Sequence, residues 1–320
     1  MDIKFTNQSI LITGGAGFIG STIARYLVSS GAKLVRVVDN LSTGSKSNIE
    51  DLLLEDNFEF MWGDITSIET CKTACLDIDI ICHQAALGSI PRSIADPINT
   101  HNSNVTGFVN MLWAAYCNGI RRFVYASSSS IYGTNPNNTK TETEIGNQIS
   151  PYGATKYIDE IYAGVFTKIY SMECIGLRYF NVFGPRQNPD GAYAAVIPKF
   201  IKLVFNDQQP IVNGDGSYSR DFTYVDNAVY ANILALSTTN MKCYGEAYNV
   251  GTGSSQTLNQ LLNTISNVSE KNIIPIYKEN RFGDVPHTIA DIIKIREHLQ
   301  YEPQVMFYDG IVKTIDYFWR

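Results

Sequence analysis

Short apolar runs alternate with amphipathic stretches along the first 180 residues of the chain. The apolar runs lie at residues 9–13, 34–38, 58–62, 78–83, 123–126 and 175–180. Between them, apolar residues recur every three to four positions, which predicts a helix after the first run and helices at 68–75, 102–117 and 157–170. Strands that alternate with helices form a parallel sheet covered on both faces. The pattern therefore predicts an α/β fold with a doubly wound parallel sheet.

The pattern changes after residue 180. Loop-forming residues fill 184–191, and a helical pattern covers 194–205. A helical pattern at 226–236 and an apolar run at 247–250 then have the character of the first part of the chain again. We therefore expect two domains. They are residues 1–180, with a returning segment near 223–252, and a smaller, partly discontinuous α/β substrate-binding domain in residues 181–320.

The composition excludes several classes of function. The net charge of −6 argues against nucleic-acid binding. The apolar runs are too short to span a membrane, and the N-terminus lacks a basic region followed by an apolar stretch. The six cysteines contain no Cys-x-x-Cys pair, which is typical of free thiols in a reducing compartment. We therefore expect a cytoplasmic protein that binds neither nucleic acid nor membrane.

A glycine-rich turn joins the first apolar run to the first helix, with Gly14, Gly17 and Gly20. Glycine is needed where the backbone turns tightly, where it approaches a pyrophosphate, and where the helix packs on the strand. The helix N-terminus then offers N–H groups to phosphates. The second apolar run ends at Asp39, where a carboxylate can accept hydrogen bonds from the adenosine ribose and repels a 2′-phosphate. The turn therefore predicts a Rossmann-type dinucleotide site that takes NAD in preference to NADP.

Tyr152 and Lys156 are four residues apart in a stretch that should be helical. Ser150 is a good N-cap and Pro151 a good first helical residue, so the helix should begin there. Residues four apart share a helix face, and a lysine ammonium beside a phenol stabilises the phenolate. Tyr152 is therefore a candidate general base.

Polar residues follow the other predicted strands. Asp64 comes after the third run and Gln84 after the fourth, while four serines at 127–130 close the fifth. Ligands bind at the carboxyl ends of parallel strands, so these residues should converge on one crevice. Asp64 suits the adenine edge of a cofactor and an ordinary Gly-Asp turn equally well. One serine can share a proton with the tyrosine, whereas at least one or two of the four form a polar exit from the strand.

The histidines and the loop arginines complete the candidate chemistry. The four histidines form no metal-type cluster, so we expect no metal, and His83 should be a structural hydrogen-bonding residue. Arg220 and Arg281 lie in polar, aromatic loops. Two arginines can hold a diphosphate through bidentate hydrogen bonds, whereas either alone is typical of a solvated loop.

Together these motifs resemble the extended short-chain dehydrogenase/reductase family over nearly the whole chain. Residues 177–185 and 220–226 look like its nucleotide-sugar-modifying branch. Residues 83–93 are similar to the UDP-N-acetylhexosamine 4-epimerases of bacterial surface-polysaccharide pathways. The resemblance implies an isomerase that interconverts UDP-N-acetylglucosamine and UDP-N-acetylgalactosamine through a 4-keto intermediate with NAD as cofactor. It also implies a homodimer formed through the helices at 102–117 and 157–170.

The resemblance implies a role for each site residue. The catalytic residues would be Ser128, Tyr152 and Lys156. The residues that line NAD would be Gly14, Gly17, Phe18, Ile19, Gly20, Asp39, Asn40, Thr43, Gly44, Asp64, Ile65, Gln84, Ala85, Ala86, Asn104, Tyr152, Lys156 and Tyr179. The residues that hold the UDP-sugar would be Gly88, Ser89, Ser128, Ser129, Ser130, Tyr152, Asn181, Ala195, Val196, Arg220, Arg281 and Asp284.

Several positions bear on the choice of substrate. Galactose-type epimerases usually carry a lysine where Gly88 stands, and galactose-restricted bacterial ones tend to carry a tyrosine where Thr288 stands. A small residue at 288 leaves room for a 2-acetamido group. UDP-glucose or UDP-galactose and a UDP-uronate remain alternatives, since Arg92 could supply a cation for a uronate. A dehydratase or decarboxylase is less expected, because Ser129 and Ser130 stand where those branches carry acidic residues.

An alternative from a different class is a regulator that binds NAD without turnover. The intact serine, tyrosine and lysine argue against it.

Overall fold

The computed structural model describes residues 3–190, 194–279 and 285–319. The strands in this part of the chain are β1 (Ser9–Thr13), β2 (Leu34–Asp39), β3 (Phe58–Trp62), β4 (Ile80–His83), β5 (Arg122–Ser128), β6 (Thr139–Lys140), β7 (Glu173–Tyr179), β8 (Val182–Phe183), β9 (Ile211–Asn213), β10 (Ser219–Arg220), β11 (Thr223–Tyr224), β12 (Glu246–Val250), β13 (Gln256–Thr257), β14 (Ile276–Lys278) and β15 (His287–Ala290).

The helices are interspersed with the strands. They are α1 (Phe18–Ser29), α2 (Ile68–Ala74), α3 (Ile90–Ala95), α4 (Pro97–His101), α5 (Gly107–Cys117), α6 (Pro151–Tyr170), α7 (Val196–Phe205), α8 (Val225–Ser237), α9 (Leu258–Ser269), α10 (Ile293–Leu299) and α11 (Phe307–Trp319). Short 3₁₀ turns cover Lys46–Asn48, Asp51–Leu54, Ser129–Tyr132 and Met241–Cys243, and a π-helical turn at Asn102–Thr106 precedes α5.

A seven-stranded sheet forms the centre of the molecule, in the order β12-β7-β5-β4-β1-β2-β3. Each neighbouring pair is parallel. The strand order reverses between β1 and β4, and a crevice opens at such a point, outside the carboxyl ends of the strands. The predicted doubly wound parallel sheet is therefore confirmed, and its switch point locates the expected site.

Both faces of the sheet are buried. Ile10 and Ile12 of β1 belong to one apolar cluster, whereas Leu11 between them belongs to the cluster on the opposite face. Successive side chains of a strand point to opposite faces, so a strand covered on both sides is apolar throughout. This explains why the first 180 residues show continuous apolar runs.

Shorter strands build the smaller part of the molecule. They form a four-stranded sheet in the order β13-β10-β15-β6 and the two pairs β11-β8 and β14-β9. Helix α8 and strand β12 come later in the chain but pack with the central sheet, where β12 lies beside β7. The boundary between the two domains at residue 180 stays a prediction.

Several elements differ from the sequence prediction at their ends. Strand β5 begins at Arg122 and includes the first two serines, because its pairing with β7 continues through Ser127 and Ser128. Helix α7 begins at Val196, since Ala195 has an extended backbone. Across the described ranges, every helix is too short or too polar to cross a lipid bilayer.

Candidate active site

The glycine turn after β1 forms a tight backbone cradle. Gly14 has φ +67°, and a Cβ there would lie 2.7 Å from the backbone of Ala85. A Cβ at Gly20 would lie 2.3 Å from the carbonyl oxygen of Gly14. Helix α1 starts after Gly17 with no side-chain cap and no acidic residue in its first turn, so its N–H groups remain for an anion. The cradle fits the pyrophosphate of a dinucleotide, with Phe18 and Ile19 opening the helix.

Asp39 lies at the end of β2 against this cradle. Its carboxylate accepts hydrogen bonds from the backbone N–H groups of Ala16, at 3.0 Å, and Leu41, at 2.8 Å. Burial raises the pKa of the Asp39 carboxyl, although both N–H groups oppose this. Gly44 packs on the same group, because a Cβ there would lie 3.1 Å from Asp39 Oδ2. The structure therefore brings Asp39 and Gly44 together at the edge of the glycine turn, with Thr43 beside them in the chain.

Asn40 and Asp64 meet at the ends of β2 and β3. The Asn40 side chain donates to Asp64 Oδ2 at 2.8 Å, and Thr66 donates to Oδ1 through its backbone and its hydroxyl. Burial opposes ionisation of Asp64, but the hydrogen bonds from Thr66 and Asn40 prevail and lower its pKa. Asp64 therefore forms a local turn, and it also contacts Asn40, which is one of the residues predicted to line NAD. The next residue, Ile65, is buried.

Gln84 and Tyr179 join a closed ring of hydrogen bonds behind the crevice. Tyr179 donates to Gln84 Oε1 at 3.0 Å, Gln84 donates to Asn232 Oδ1 at 3.1 Å, and Asn232 donates to the Tyr179 hydroxyl at 2.7 Å. Asn232 lies on α8 and is fully buried. The sequence prediction missed this residue, since nothing in its neighbourhood distinguishes it from an ordinary polar residue of a helix.

Asn104 supports the segment that contains Ala85, Ala86 and Gly88. Its side chain accepts from the Leu87 N–H at 2.8 Å and donates to Thr155 Oγ1 at 3.0 Å. It is fully buried in the π-helical turn. Asn104 therefore fixes this segment to α6, where Tyr152 begins the helix.

Tyr152 lies in the first turn of α6, as predicted. The Ser150 hydroxyl accepts from the Gly153 N–H at 3.1 Å as the N-cap, and Ser93 of α3 accepts from the Tyr152 N–H at 3.1 Å. A Cβ at Gly153 would lie 2.9 Å from the Ser130 carbonyl oxygen, so only glycine lets the helix approach the serines this closely. The structure thus brings Tyr152 and the serine segment together.

Gly88 lies beside the reactive end of Tyr152. A Cβ at Gly88 would have the Tyr152 hydroxyl as its neighbour, at 3.8 Å. The next residue, Ser89, caps α3 by accepting from the Arg92 N–H at 3.2 Å. Space is therefore open beside the phenol, and α3 borders it.

The four serines divide between two tasks. Ser128 donates to Ser130 Oγ at 3.1 Å and accepts from the Ser130 N–H, and both residues lie near the start of α6, with Ser129 between them. Ser127 instead donates to Glu160 on the opposite side of the strand, at 2.5 Å. Glu160 therefore holds Ser127 within β5, and the expectation that at least one or two of the four serines form a polar exit from the strand stays a prediction.

A buried ion pair anchors α6 to the sheet. Arg178 of β7 contacts Glu160 with two parallel hydrogen bonds of 2.9 and 2.8 Å, a bidentate pair. Arg178 also donates to the hydroxyl of Tyr132, which donates to Asn249 of β12. These contacts fix the helix that carries Tyr152 relative to the strands that carry Ser128.

Lys156 is 1% exposed and lies one turn after Tyr152. Its Nζ donates to Asp159 Oδ2 at 3.2 Å. His83 lies near the same ammonium, packed against Phe108 and Phe123, and Thr13 Oγ1 is 2.9 Å from its Nδ1. Burial and the charge of Lys156 lower the pKa of His83 to about 3, so the ring stays neutral and structural.

The predicted substrate residues beyond β7 lie on separate elements. Arg220 pairs with Thr288 across β10 and β15, so both side chains lie on one face of that sheet. Asn181 is exposed and donates to the backbone of Asp221, while Ala195 and Val196 form the start of α7. Arg281 and Asp284 lie outside the described residues.

In the described ranges, no group of three or more His, Cys, Asp and Glu side chains could hold a metal ion.

Known proteins of one family share this architecture. A family model described as the NAD dependent epimerase/dehydratase family matches residues 10–251. A UDP-glucose 4-epimerase of Mycolicibacterium smegmatis is 35% identical over 310 residues, which are 96% of this chain and 97% of that protein.

Two solved structures are similar over nearly the whole chain. A UDP-N-acetylglucosamine 4-epimerase from Methanobrevibacter ruminantium in complex with UDP-N-acetylmuramic acid superposes with a TM-score of 0.92 at 36% identity and 99% coverage of both chains. A UDP-glucuronic acid 4-epimerase from Bacillus cereus, in complex with UDP-glucuronic acid and NAD, has a TM-score of 0.90 at 30% identity, covering 97% of this chain and 98% of that one. The glycine cradle, the strand-end carboxylate and the family match agree on NAD as the cofactor. The chain belongs to the NAD-dependent epimerase/dehydratase family of nucleotide-sugar enzymes.

Proposed function

We propose that the protein catalyses reversible inversion at C4 of a UDP-N-acetylhexosamine. The observation that carries this proposal is the open space at Gly88 beside the Tyr152 hydroxyl. With a glycine at this position, no side chain of residue 88 occupies the space beside the phenol, which leaves room for a hexose and its substituents. The similarity to a UDP-N-acetylglucosamine 4-epimerase supports the same substrate class. The product would supply acetylated sugars for surface polysaccharide made from cytoplasmic precursors.

In this reaction Tyr152 is the base. Its phenolate removes the proton of the sugar O4 hydroxyl, and the buried Lys156 ammonium on the same face of α6 stabilises that phenolate. When bound, NAD supplies a nicotinamide ring that accepts hydride from C4 and returns it. The sugar passes through a 4-keto form and recovers its O4 proton from Tyr152, so no net oxidation occurs. Ser128 would donate a hydrogen bond to O4 and hold it near Tyr152.

The proposed substrate residues would hold the nucleotide firmly and the sugar loosely. Arg220, Asn181 and the start of α7 would hold the UDP portion together with Arg281 and Asp284. Gly88, Ser89, Ser129 and Ser130 would contact the hexose, where small side chains leave it free to turn over. Inversion requires the 4-keto sugar to present its other face, so a firmly held nucleotide and a loosely held sugar suit this reaction.

Two other substrates remain open to test. Relatives of similar identity act, by name, on UDP-glucose and UDP-glucuronate. A uronate would need a cation near C6, and Arg92 on α3, the helix that follows Gly88 and Ser89, could supply one. The absence of a carboxylate at Ser129 and Ser130 disfavours dehydration.

The decisive experiment incubates the purified protein separately with UDP-N-acetylglucosamine, UDP-glucose and UDP-glucuronate, with and without added NAD, and separates the sugar nucleotides. We expect a stable mixture of UDP-N-acetylglucosamine and UDP-N-acetylgalactosamine, formed faster than either other epimer pair. Tyr152→Phe should abolish turnover while NAD remains bound. Faster conversion of either other sugar would overturn the acetamido assignment, and no conversion of any would favour a binding protein.

We also propose that the protein is a homodimer formed through α5 and α6. Both helices expose large apolar side chains, which are here called the α5–α6 face. It consists of Trp113, Tyr116, Ile161, Tyr162, Val165 and Ile169. Tyr170 links the two helices, with ring centroids 6.1 Å from Trp113 and 4.8 Å from Tyr116. A second copy of the same two helices would bury this face in a two-fold arrangement.

A further inference from the structure

The ion pair between Lys156 and Asp159 is unusual in its burial. Asp159 is fully buried, and the side chain of Lys156 is 2% exposed. Removing two charges from water costs several kcal/mol per ion, and an apolar pair of similar volume is often at least as stable. The pair therefore contributes little as a stabilising device. Its position beside Tyr152 suggests a functional reason for it.

Asp159 follows Lys156 by three residues and lies on the far side of the ammonium from Tyr152. The helix thus presents phenol, ammonium and carboxylate in order along one face, at positions 152, 156 and 159. The second carboxylate oxygen of Asp159 has no hydrogen-bond partner among the described residues. The Asp159 carboxylate therefore bonds to Lys156 and is not part of the Glu160–Arg178 network that anchors the helix.

Among the groups near Lys156, Asp159 is the one whose negative charge can balance the ammonium. His83, which also faces Lys156, is neutral and would be a second cation if protonated, so it cannot balance this charge. Glu160 is bound on both oxygens by Arg178 and also accepts from Ser127. The ionisable groups that act on Asp159 are Lys156 and Glu160 on α6 and Tyr125 on β5. His83 on β4 lies near Lys156, and Cys174 and Arg178 on β7 lie near Tyr125.

We propose that Asp159 is a positioning residue for the reaction, because it keeps Lys156 charged and on the face of α6 that carries Tyr152. This inference rests on the proposed function. A buried ammonium without a counter-ion favours its neutral form. A neutral amine cannot stabilise the Tyr152 phenolate, so the charge of Asp159 reaches the substrate only through Lys156.

The first test is the kinetics of Asp159→Asn with the UDP-sugar that the wild type converts. Asparagine has the same shape and can still accept a hydrogen bond from Lys156, so any loss reports the charge. We expect kcat to fall at least tenfold while KM changes less than threefold and the NAD content is retained.

Glu69→Gln is the matched control, since Glu69 and Lys72 form an i,i+3 pair at 2.9 Å that is exposed. This control should leave both constants unchanged. A kcat within twofold of wild type in Asp159→Asn overturns the proposal.

The second test needs neither substrate nor NAD. Burial raises the pKa of Asp159 to about 7 despite the opposing charge of Lys156. The folded protein therefore keeps a proton that the unfolded chain releases from about pH 4 upward, so this group lowers stability as the pH rises through that window. Thermal midpoints of the NAD-free proteins at pH 5 and pH 8 should show Asp159→Asn gaining relative to wild type at the higher pH. An equal difference at both pH values would show that Asp159 ionises in the folded protein as it does in the unfolded chain, which also leaves it charged beside Lys156. A gain that keeps growing from pH 8 to pH 9 would show that Asp159 stays protonated in the folded protein, so that it supplies no charge to Lys156, and the proposal fails.

A variant at the other end of the pair covers the case in which Asp159→Asn does not fold. Lys156→Met removes the counter-ion, so the pH at which stability falls should move above that of the wild type. An unchanged pH dependence in Lys156→Met overturns the pairing. If the wild type converts no UDP-sugar, the proposed function fails, whereas the NAD-free measurements still decide whether Asp159 holds Lys156.

Discussion

At the scale of single residues, alanine substitutions in the glycine turn should differ in how much they lower stability. A Cβ at Gly20 would lie 2.3 Å from the Gly14 carbonyl oxygen and 2.8 Å from the Gly15 Cα, whereas a Cβ at Gly17 would lie 3.1 Å from the same oxygen. Backbone atoms cannot move aside as a flexible side chain can. Gly20→Ala should therefore lower the free energy of unfolding by about 1–3 kcal/mol, the usual cost of overpacking.

Gly17→Ala provides the comparison, because its contact is longer and its backbone is extended, at φ −77° and ψ 176°. It should cost less stability than Gly20→Ala. Urea unfolding of the NAD-free proteins measures both. Equal losses in the two variants would show that the crowding at Gly20 relaxes.

The same scale shows what the sequence can indicate about a site. Asp39, Gln84 and Ser128 could be singled out because each follows a predicted strand, and strand ends converge in a parallel sheet. Asp159 was not found, because an aspartate three residues from a lysine on a helix is usually an exposed pair. Asn232 was not found either, because it reaches Gln84 only through the folding of two distant segments, and no local pattern records that contact.

At the scale of elements, the pair between Glu160 and Arg178 should be the strongest link between α6 and the sheet. Both side chains are buried, at 9% and 5% exposure, so removing one leaves the other charged and unpaired. Arg178→Leu should cost about 3–5 kcal/mol of stability. The control is Lys72→Leu, which breaks an exposed pair and should change stability by less than about 1 kcal/mol.

Denaturant unfolding of the two variants distinguishes these expectations. A small loss in Arg178→Leu would mean that Glu160 takes up a proton or reaches water, so that the pair does not fix α6. The pair also explains why Ser127 turns away from the crevice, since Glu160 is its partner.

The ends of the strands show what a sequence pattern cannot predict. The long strands could be located because a buried parallel strand is apolar along its length. Their ends could not, since backbone pairing continues through Arg122 and Ser128 whatever the side chain. Strands of two residues, such as β10 and β11, carry no periodicity at all. The substrate side of the molecule was therefore predicted only as a partly irregular region.

At the scale of the whole molecule, the proposed dimer makes a prediction about mass in solution. The wild type should sediment as a dimer at micromolar concentration. Ile161, Val165 and Ile169 recur at helical spacing on α6 and are 51%, 45% and 69% exposed. A charge at Ile161 would have to be buried without a partner in a two-fold interface, where it meets its own copy across the axis or an apolar neighbour. Ile161→Glu should therefore sediment as a monomer.

The control for this prediction is Leu54→Glu, which adds the same charge at an 87% exposed residue of the 3₁₀ turn Asp51–Leu54. That turn lies outside the α5–α6 face, so this variant should remain a dimer. If Ile161→Glu keeps the mass of the wild type, the dimer forms through another surface. If Leu54→Glu also dissociates, net charge rather than the α5–α6 face controls association. Because α6 carries Tyr152 at one end and this face along its outer side, a monomeric variant would also show whether the second copy stabilises the helix on which the chemistry depends.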